Sequence, residues 1–307
     1  MRSGGNAGGQ SGSSENKQTE ERQGDAGGRA FRLEIVGLGS GGLNGITLAA
    51  QKSLKSAEAV YGYGLYLEQA LPHIKKATVH KSGMTAEMRR AEEAINMALS
   101  GKRTVMVSGG DAGVYAMAGA VFEVAAARNI SLGREPGQLR VKVIPGVPAL
   151  VASAALLGAP LTHDFCAISL SDRLTPWELI EKRLELAGEA DFVICIYNPK
   201  SKGRDWQLGR AAEILLKHRP ADQPVGVVSR AGRAGQEVRI LTLAELAEAP
   251  VDMQTLVVIG NQSTFVYQGF MITPRGYVNK YGPDGNRPVR KRPAKKTDEV
   301  ETGSEEG

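Results

Sequence analysis

Aromatic residues make up only 5% of this 307-residue chain, which holds two cysteines and four histidines. Each shortage removes a class of protein. Cys166 and Cys195 both sit inside apolar runs, and two thiols cannot supply the framework of a disulfide-stapled domain. Scattered histidines without a C-x-x-C pair leave no metal site of ligand-like spacing, so no metal is expected. No apolar run reaches the roughly 18–20 residues that a membrane span requires. The opening stretch "MRSGGNAGGQSGSSENKQTEERQGDAGG" has no apolar segment of the kind a secretion signal carries. These exclusions predict a cytoplasmic protein without a membrane partner.

The ends are also short of anything to bury. Residues 1–29 are Gly, Ser, Gln and charge, and predict a disordered tail. Residues 278–307 predict another, with a basic block "RPVRKRPAKK" set before an acidic "TDEVETGSEEG". Charge nearly cancels within each tail, so most of the net +5 lies between them. That excess suits a small anionic substrate and is too small to argue for nucleic acid.

What is abundant is glycine, 38 residues, within a chain that is 42% hydrophobic. "FRLEIVGLGSGG" reads as a strand entering a glycine loop, followed by the amphipathic helix "ITLAAQKSLKSA". Strands at "EAVYGYG", "TVMVSGG" and "LRVKVIPG" alternate with helices over 84–99 and 114–128. After two prolines in "VIPGVPAL" the alternation resumes. "FCAISLSD", "DFVICIYNP", "PVGVVSRAG" and "QTLVVIGNQ" read as strands, and "EVRILTLAEL" as a strand then a helix. "TPWELIEKRLELAG" reads as a helix ending at Gly188, and "WQLGRAAEILLKH" as another. This predicts an α/β protein of two domains, 30–145 and 146–277, each a mixed, mostly parallel sheet with flanking helices.

Several loops carry more than a turn needs. In "SGGDAGVYAMA", Gly109, Gly110 and Asp111 stand where a strand hands over to a helix. Either Asp111 caps that helix, or a ligand lies against glycine backbone at a helix N-terminus. "GLGSGG" satisfies G-x-G-x-x-G at Gly37, Gly39 and Gly42. However, the acid that would hold a ribose is missing after the second strand, since Glu58 precedes it, and this disfavours a dinucleotide site. No G-x-x-x-x-G-K-[ST] phosphate loop occurs either. "YNPKSKGRDWQL", "SRAGRAGQEV" and "SLSDRLTPWE" each place polar or basic residues at a strand's C-terminal end. Singly, each is explained by turns, caps and solvated arginines.

Together with "LGAPLTHDFCAISLSDRLTPWELIEKRL" and "MITPRGY", these stretches resemble the tetrapyrrole methylases over about residues 32–277. The narrower motifs resemble the branch that methylates ring carbon 17 of precorrin-3B, with contraction of the macrocycle, in cobalamin biosynthesis. Two departures stand out: Ser40 and Gly42 replace a frequent Pro and Asp, and Ala112 replaces the Pro that usually follows "GGD". The resemblance implies the two-domain fold of class III methyltransferases and S-adenosylmethionine (SAM) as methyl donor. By matching motifs it implies SAM contacts at Ser40, Gly109, Gly110, Asp111, Val114, Pro148, Ala149, Tyr197, Asn198, Ala231 and Gly232. It implies an anionic tetrapyrrole as substrate and a homodimer as the assembly. Arginine's planar fork suits the substrate's carboxylates, which points to Arg173, Arg204, Arg230 and Arg233, with Asp172 beside them. Asp111, Asp172 and His163 are the groups available for proton movement, and no catalytic base is assigned.

Overall fold

The computed structural model describes residues 31–42, 45–201 and 203–283. The expected N-terminal tail and most of the C-terminal one lie outside these residues. Tyr277–Tyr281, where the second tail was expected to begin, forms a short helix instead. The chain divides into two compact units, residues 1–156 with 228–238 and 254–256, and residues 157–227 with 239–253 and 257–307. The first break in the chain falls after Leu156 and not near Pro145, because most of the helix Ala149–Leu157 groups with the first unit.

The first unit holds strands β1 (Phe31–Gly37), β2 (Ala59–Tyr63), β3 (Thr78–Ser82), β4 (Thr104–Ser108) and β5 (Leu139–Ile144), in the order β3-β2-β4-β1-β5. All four pairings are parallel. A parallel sheet needs cover on both faces, and the alternation in β1 shows how it is met. Leu33 and Ile35 pack with Tyr61 and Met106 beneath helices α3 (Glu87–Leu99) and α4 (Met117–Ala127). Val36 packs with Val60, Val105 and Val107 on the other face, beneath α1 (Leu48–Ser56) and α2 (Gly64–Ala70). Thr47 caps α1 by accepting from the Ala50 N–H. Both α3 and α4 start later than the apolar spacing implies. Thr85 at φ 68° and Tyr115 at φ 48° are left-handed, a conformation that no helix continues through. Val114 therefore belongs to a loop. Helix α5 (Ala149–Leu157) follows the Pro145-Gly146 turn.

The second sheet is ordered β10-β9-β11-β8-β7, from β7 (Phe165–Ser169), β8 (Val193–Tyr197), β9 (Pro224–Ser229), β10 (Glu237–Thr242) and β11 (Thr255–Ile259). It is mixed, with β7 parallel to β8 and β8 antiparallel to β11. Ile168, Ile194, Val225 and Val257 form its core with Ile180 and Leu184 of α6 (Trp177–Glu189) and Leu208 and Leu215 of α7 (Gln207–Leu215). Gly188 does not end α6. A Cβ there would stand 2.9 Å from the His218 ring, so the glycine provides packing room. The helix expected after β10 is a 3₁₀ segment, Leu243–Glu248, opened by a Thr242/Glu245 capping box.

A third sheet, absent from the sequence reading, joins β6 (Gly158–Ala159) to a hairpin of β12 (Phe265–Tyr267) and β13 (Phe270–Ile272). The short helix Tyr277–Tyr281 is α8. Among the described residues no helix is long and apolar enough to cross a membrane.

Candidate active site

Strands β4, β1 and β5 are neighbours, so the loops at their C-terminal ends open side by side, the usual ligand position in such sheets. These loops meet backbone to backbone. A Cβ on Gly37 would stand 2.6 Å from the Gly146 nitrogen and 2.7 Å from the Gly110 oxygen. A Cβ on Gly146 would stand 2.3 Å from that same oxygen. Gly39 and Gly110 exchange both backbone hydrogen bonds, at 3.0 and 2.8 Å. The glycines of "GLGSGG" and "GGD" thus serve contact between loops before they serve any ligand.

Asp111 does not cap α4, whose N-cap is Ala116 with no side-chain hydrogen bond. Its Oδ1 accepts from the Gly113 N–H at 2.7 Å and its Oδ2 from the Gly146 N–H at 3.1 Å. The carboxylate stitches the loop after β4 to the loop after β5, so both of its oxygens are engaged in shaping the site.

Gly109 and Gly110 have different reasons to be glycine. A Cβ on Gly109 would lie 2.3 Å from Cε1 of Tyr66, so an aromatic ring occupies the space beside it. Gly110 is left-handed, at φ 62°. A Cβ there would meet only the Ala149 nitrogen at 3.6 Å, the Pro148 Cα at 3.7 Å and the Val147 oxygen at 3.9 Å. Gly110, Val114, Pro148 and Ala149 are all half-buried. Gly110 faces the Pro148–Ala149 backbone across ordinary contact distance, a surface poor in side chains and rich in peptide groups.

The loop after β9 completes this set within the first unit. Arg233 donates from Nε to the Ser40 oxygen at 2.6 Å, and its guanidinium lies 6.0 Å from the Tyr66 ring centroid. Gly232 approaches Gly41 closely, and Ala231 is buried. Arg230 is left-handed at φ 51° and donates its N–H to the Gln254 oxygen at 2.9 Å. Of the predicted residues, then, the first unit brings together Ser40, Gly109, Gly110, Asp111, Pro148, Ala149, Arg230, Ala231, Gly232 and Arg233, and it also holds Val114 on the loop before α4. Sequence reasoning missed Tyr66 and also Gln69, whose Nε2 donates to the Leu38 oxygen at 2.9 Å. The available signal was their place in "GYGLYLEQ", directly after a strand.

The second unit holds the remaining predicted residues. Asn198 is left-handed at φ 53°, and its side-chain amide donates to the Ser169 hydroxyl at 2.8 Å. The Tyr197 oxygen accepts from the Leu170 N–H at 2.9 Å. Arg204, expected as an exposed carboxylate binder, is only 7% exposed. It donates to the Leu170 oxygen at 2.8 Å and the Ser201 hydroxyl at 3.0 Å, and pairs with Asp172 at 3.9 Å. Burial lowers its pKa, with Asp172 opposing that shift. Gln207 donates to the other Asp172 oxygen at 3.1 Å. Arg204 and Asp172 are therefore ties between loops, whereas Arg173 is exposed beside Leu174, which is 99% exposed. His163 accepts from the Asp164 N–H at 2.8 Å in an exposed setting. Burial pushes the Cys166 thiol up to about 11 and Cys195 up to about 12, so neither offers a thiolate nucleophile at neutral pH.

A family model of the tetrapyrrole (corrin/porphyrin) methylases matches residues 32–247. The chain belongs to this family. The methylase is 46% identical over 245 residues to a probable cobalt-factor III C(17)-methyltransferase of Salmonella typhimurium, covering 80% of this chain and 99% of that one. It is 41% identical over 253 residues to a precorrin-3B C(17)-methyltransferase of a Sinorhizobium species, covering 80% and 96%. A crystal structure of the methyltransferase CobJ superposes with a TM-score of 0.73 at 35% identity, covering 81% of this chain and all of that one. Tetrapyrrole methylases take their methyl group from SAM. The surface where Gly110 faces the Pro148–Ala149 backbone fits the adenosine part of that donor, which needs apolar contact and peptide hydrogen bonds.

Proposed function

We propose that this methylase transfers the methyl group of SAM to ring carbon 17 of precorrin-3B or its cobalt-containing counterpart, with ring contraction, in cobalamin biosynthesis. The observation that carries the reading is the 46% and 41% identity to two C(17)-methyltransferases over nearly their whole length. SAM supplies an activated methyl cation equivalent. The protein's share is alignment and exclusion of water, and holding two reactants in register is worth roughly 7–11 kcal/mol. Gly110, Val114, Pro148, Ala149, Ala231 and Gly232 hold the donor, with Ser40 at its edge, and the motif resemblance adds Tyr197 and Asn198 to the candidates. Asp111 contributes by fixing the loop. Arg173 and Arg230 take substrate carboxylates, while Arg204, Asp172 and Arg233 hold the loops that carry those contacts. The exposed Phe265, Tyr267 and Phe270 on one face of the β12–β13 hairpin support a homodimer through that face. The protein is cytoplasmic, and nucleic acid is not a partner.

The deciding experiment offers SAM with the metal-free and the cobalt-loaded macrocycle and follows products by mass spectrometry. A methylated, ring-contracted product with S-adenosylhomocysteine from one substrate supports the reading and identifies which form is used. Methylation at another ring position would make the protein a sibling enzyme. A pigment spectral shift without S-adenosylhomocysteine would make it a carrier.

A further inference from the structure

Tyr66 lies outside every motif that carries the family resemblance, on α2, yet two of the site's loops rest on its ring. Gly109 lies against it. A Cβ there would stand 2.3 Å from Cε1 and 2.6 Å from Cζ, so the ring lies directly against the glycine Cα. The Arg233 guanidinium also lies over the ring, 6.0 Å from its centroid and within cation–π range. Tyr63 braces the ring edge-on at 5.6 Å and 79°. Arg233 in turn holds the Ser40 oxygen through Nε at 2.6 Å, and its Cγ occupies the space a Cβ on Gly41 would need, 2.3 Å away. The Gly39–Gly110 exchange fixes the first loop only as far as Gly39. Beyond it, the Ser40 carbonyl is held by Arg233 and Gly41 packs on Arg233 and Gly232, while the Arg233 guanidinium lies over the ring.

We propose that Tyr66 is a positioning residue of the methyl-donor site: its ring sets the Ser40 loop against the Gly110 loop. This rests on the reading that those loops hold SAM. The mechanism is steric on the Gly109 side and electrostatic on the Arg233 side. The ring's negative face directs the guanidinium so that Nε, and not a terminal nitrogen, meets the Ser40 carbonyl. A lysine has no Nε fork and cannot make that pair of contacts. Phenylalanine presents the same ring faces, so the hydroxyl is not the operative group.

The test measures S-adenosylhomocysteine affinity by calorimetry, with thermal unfolding of the unliganded protein beside it. Tyr66→Ala is expected to weaken affinity about tenfold, the scale of one lost contact of roughly 1.4 kcal/mol, and Tyr66→Phe to restore it to within about twofold of the parent. Gly109→Ala is expected to weaken affinity as well, because its methyl displaces the ring. Gly109 is not left-handed, so backbone strain adds nothing. The double variant Gly109→Ala/Tyr66→Ala is then expected to be no worse than Tyr66→Ala alone, the non-additivity of two changes acting through one contact. If Tyr66→Ala does not fold, Arg233→Lys reads the same coupling and is expected to lose a similar factor. Normal affinity in Tyr66→Ala or Arg233→Lys, an equal loss in Tyr66→Phe, or simple addition in the double variant would overturn the proposal. A parent protein that fails to bind S-adenosylhomocysteine would instead overturn the site reading itself.

Discussion

At the strand ends of the first unit, the loops are fitted glycine to glycine, with Gly37 and Gly146 so close to the Gly110 carbonyl that neither has room for a Cβ. At the strand ends of the second unit the loops are tied by side chains, Arg204 to Leu170 and Ser201, Gln207 to Asp172, and Asn198 to Ser169. The first construction leaves peptide groups as the exposed surface. The second consumes its polar side chains in holding itself together. A motif residue in the first unit therefore shapes its surface by what it lacks, and a motif arginine in the second is not free merely because it is charged.

The comparison is broken most directly at Gly146. Gly146→Ala pushes a methyl into the Gly110 oxygen, backbone against backbone, and is expected to cost about 3 kcal/mol, the upper part of the overpacking range. A guanidinium unfolding midpoint close to the parent's would show that the three loops can spread. Next comes Arg204→Met, which keeps the volume but strands the Leu170 carbonyl. The expected loss is about 2–3 kcal/mol of stability. An unchanged melting curve with a raised KM for the macrocycle would return Arg204 to the substrate.

Arg230 sharpens the contrast from the other side. Glycine suits its left-handed backbone better than alanine would, so Arg230→Gly isolates the side chain. Macrocycle affinity is expected to fall roughly ten- to a hundredfold, about 1.5–3 kcal/mol, with S-adenosylhomocysteine affinity retained. Titrations of both ligands separate these outcomes. Asp111→Asn then turns one acceptor into a donor facing the Gly146 N–H. It should cost about 1–2 kcal/mol in urea denaturation and weaken S-adenosylhomocysteine as well. Removing residues 1–28 and 288–307 is expected to change stability by less than about 0.5 kcal/mol. A larger shift in either unfolding or affinity would mean that a tail docks.

The alternation of strand and helix was legible because each buried strand is a dense apolar run. β1, β4, β8 and β11 all read correctly for that reason. β3, "TVHKS", did not, because it is the edge strand and largely exposed, without the apolar signal that burial imposes. The β12–β13 hairpin escaped for a related reason. Its strands are three residues long, too short for a period to show. The glycine loops were visible as loops, but their purpose was not. Nothing local distinguishes Gly109 from Gly110, since the ring that fills the space beside Gly109 comes from Tyr66 on α2. Likewise, Arg204 reads as a surface residue until the Leu170 carbonyl is seen folded back over it.

The Arg233–Ser40 bond joins residues 193 apart in the chain. During synthesis, the Gly37–Gly110–Gly146 contact can close as soon as the β5 turn leaves the ribosome. Ser40 has no such partner until Arg233 emerges, on the order of ten seconds later at roughly 10 residues per second. The nascent first unit thus passes through an interval with a finished sheet and one unfastened loop, and the complete set of loops arrives late, with the chain's last third.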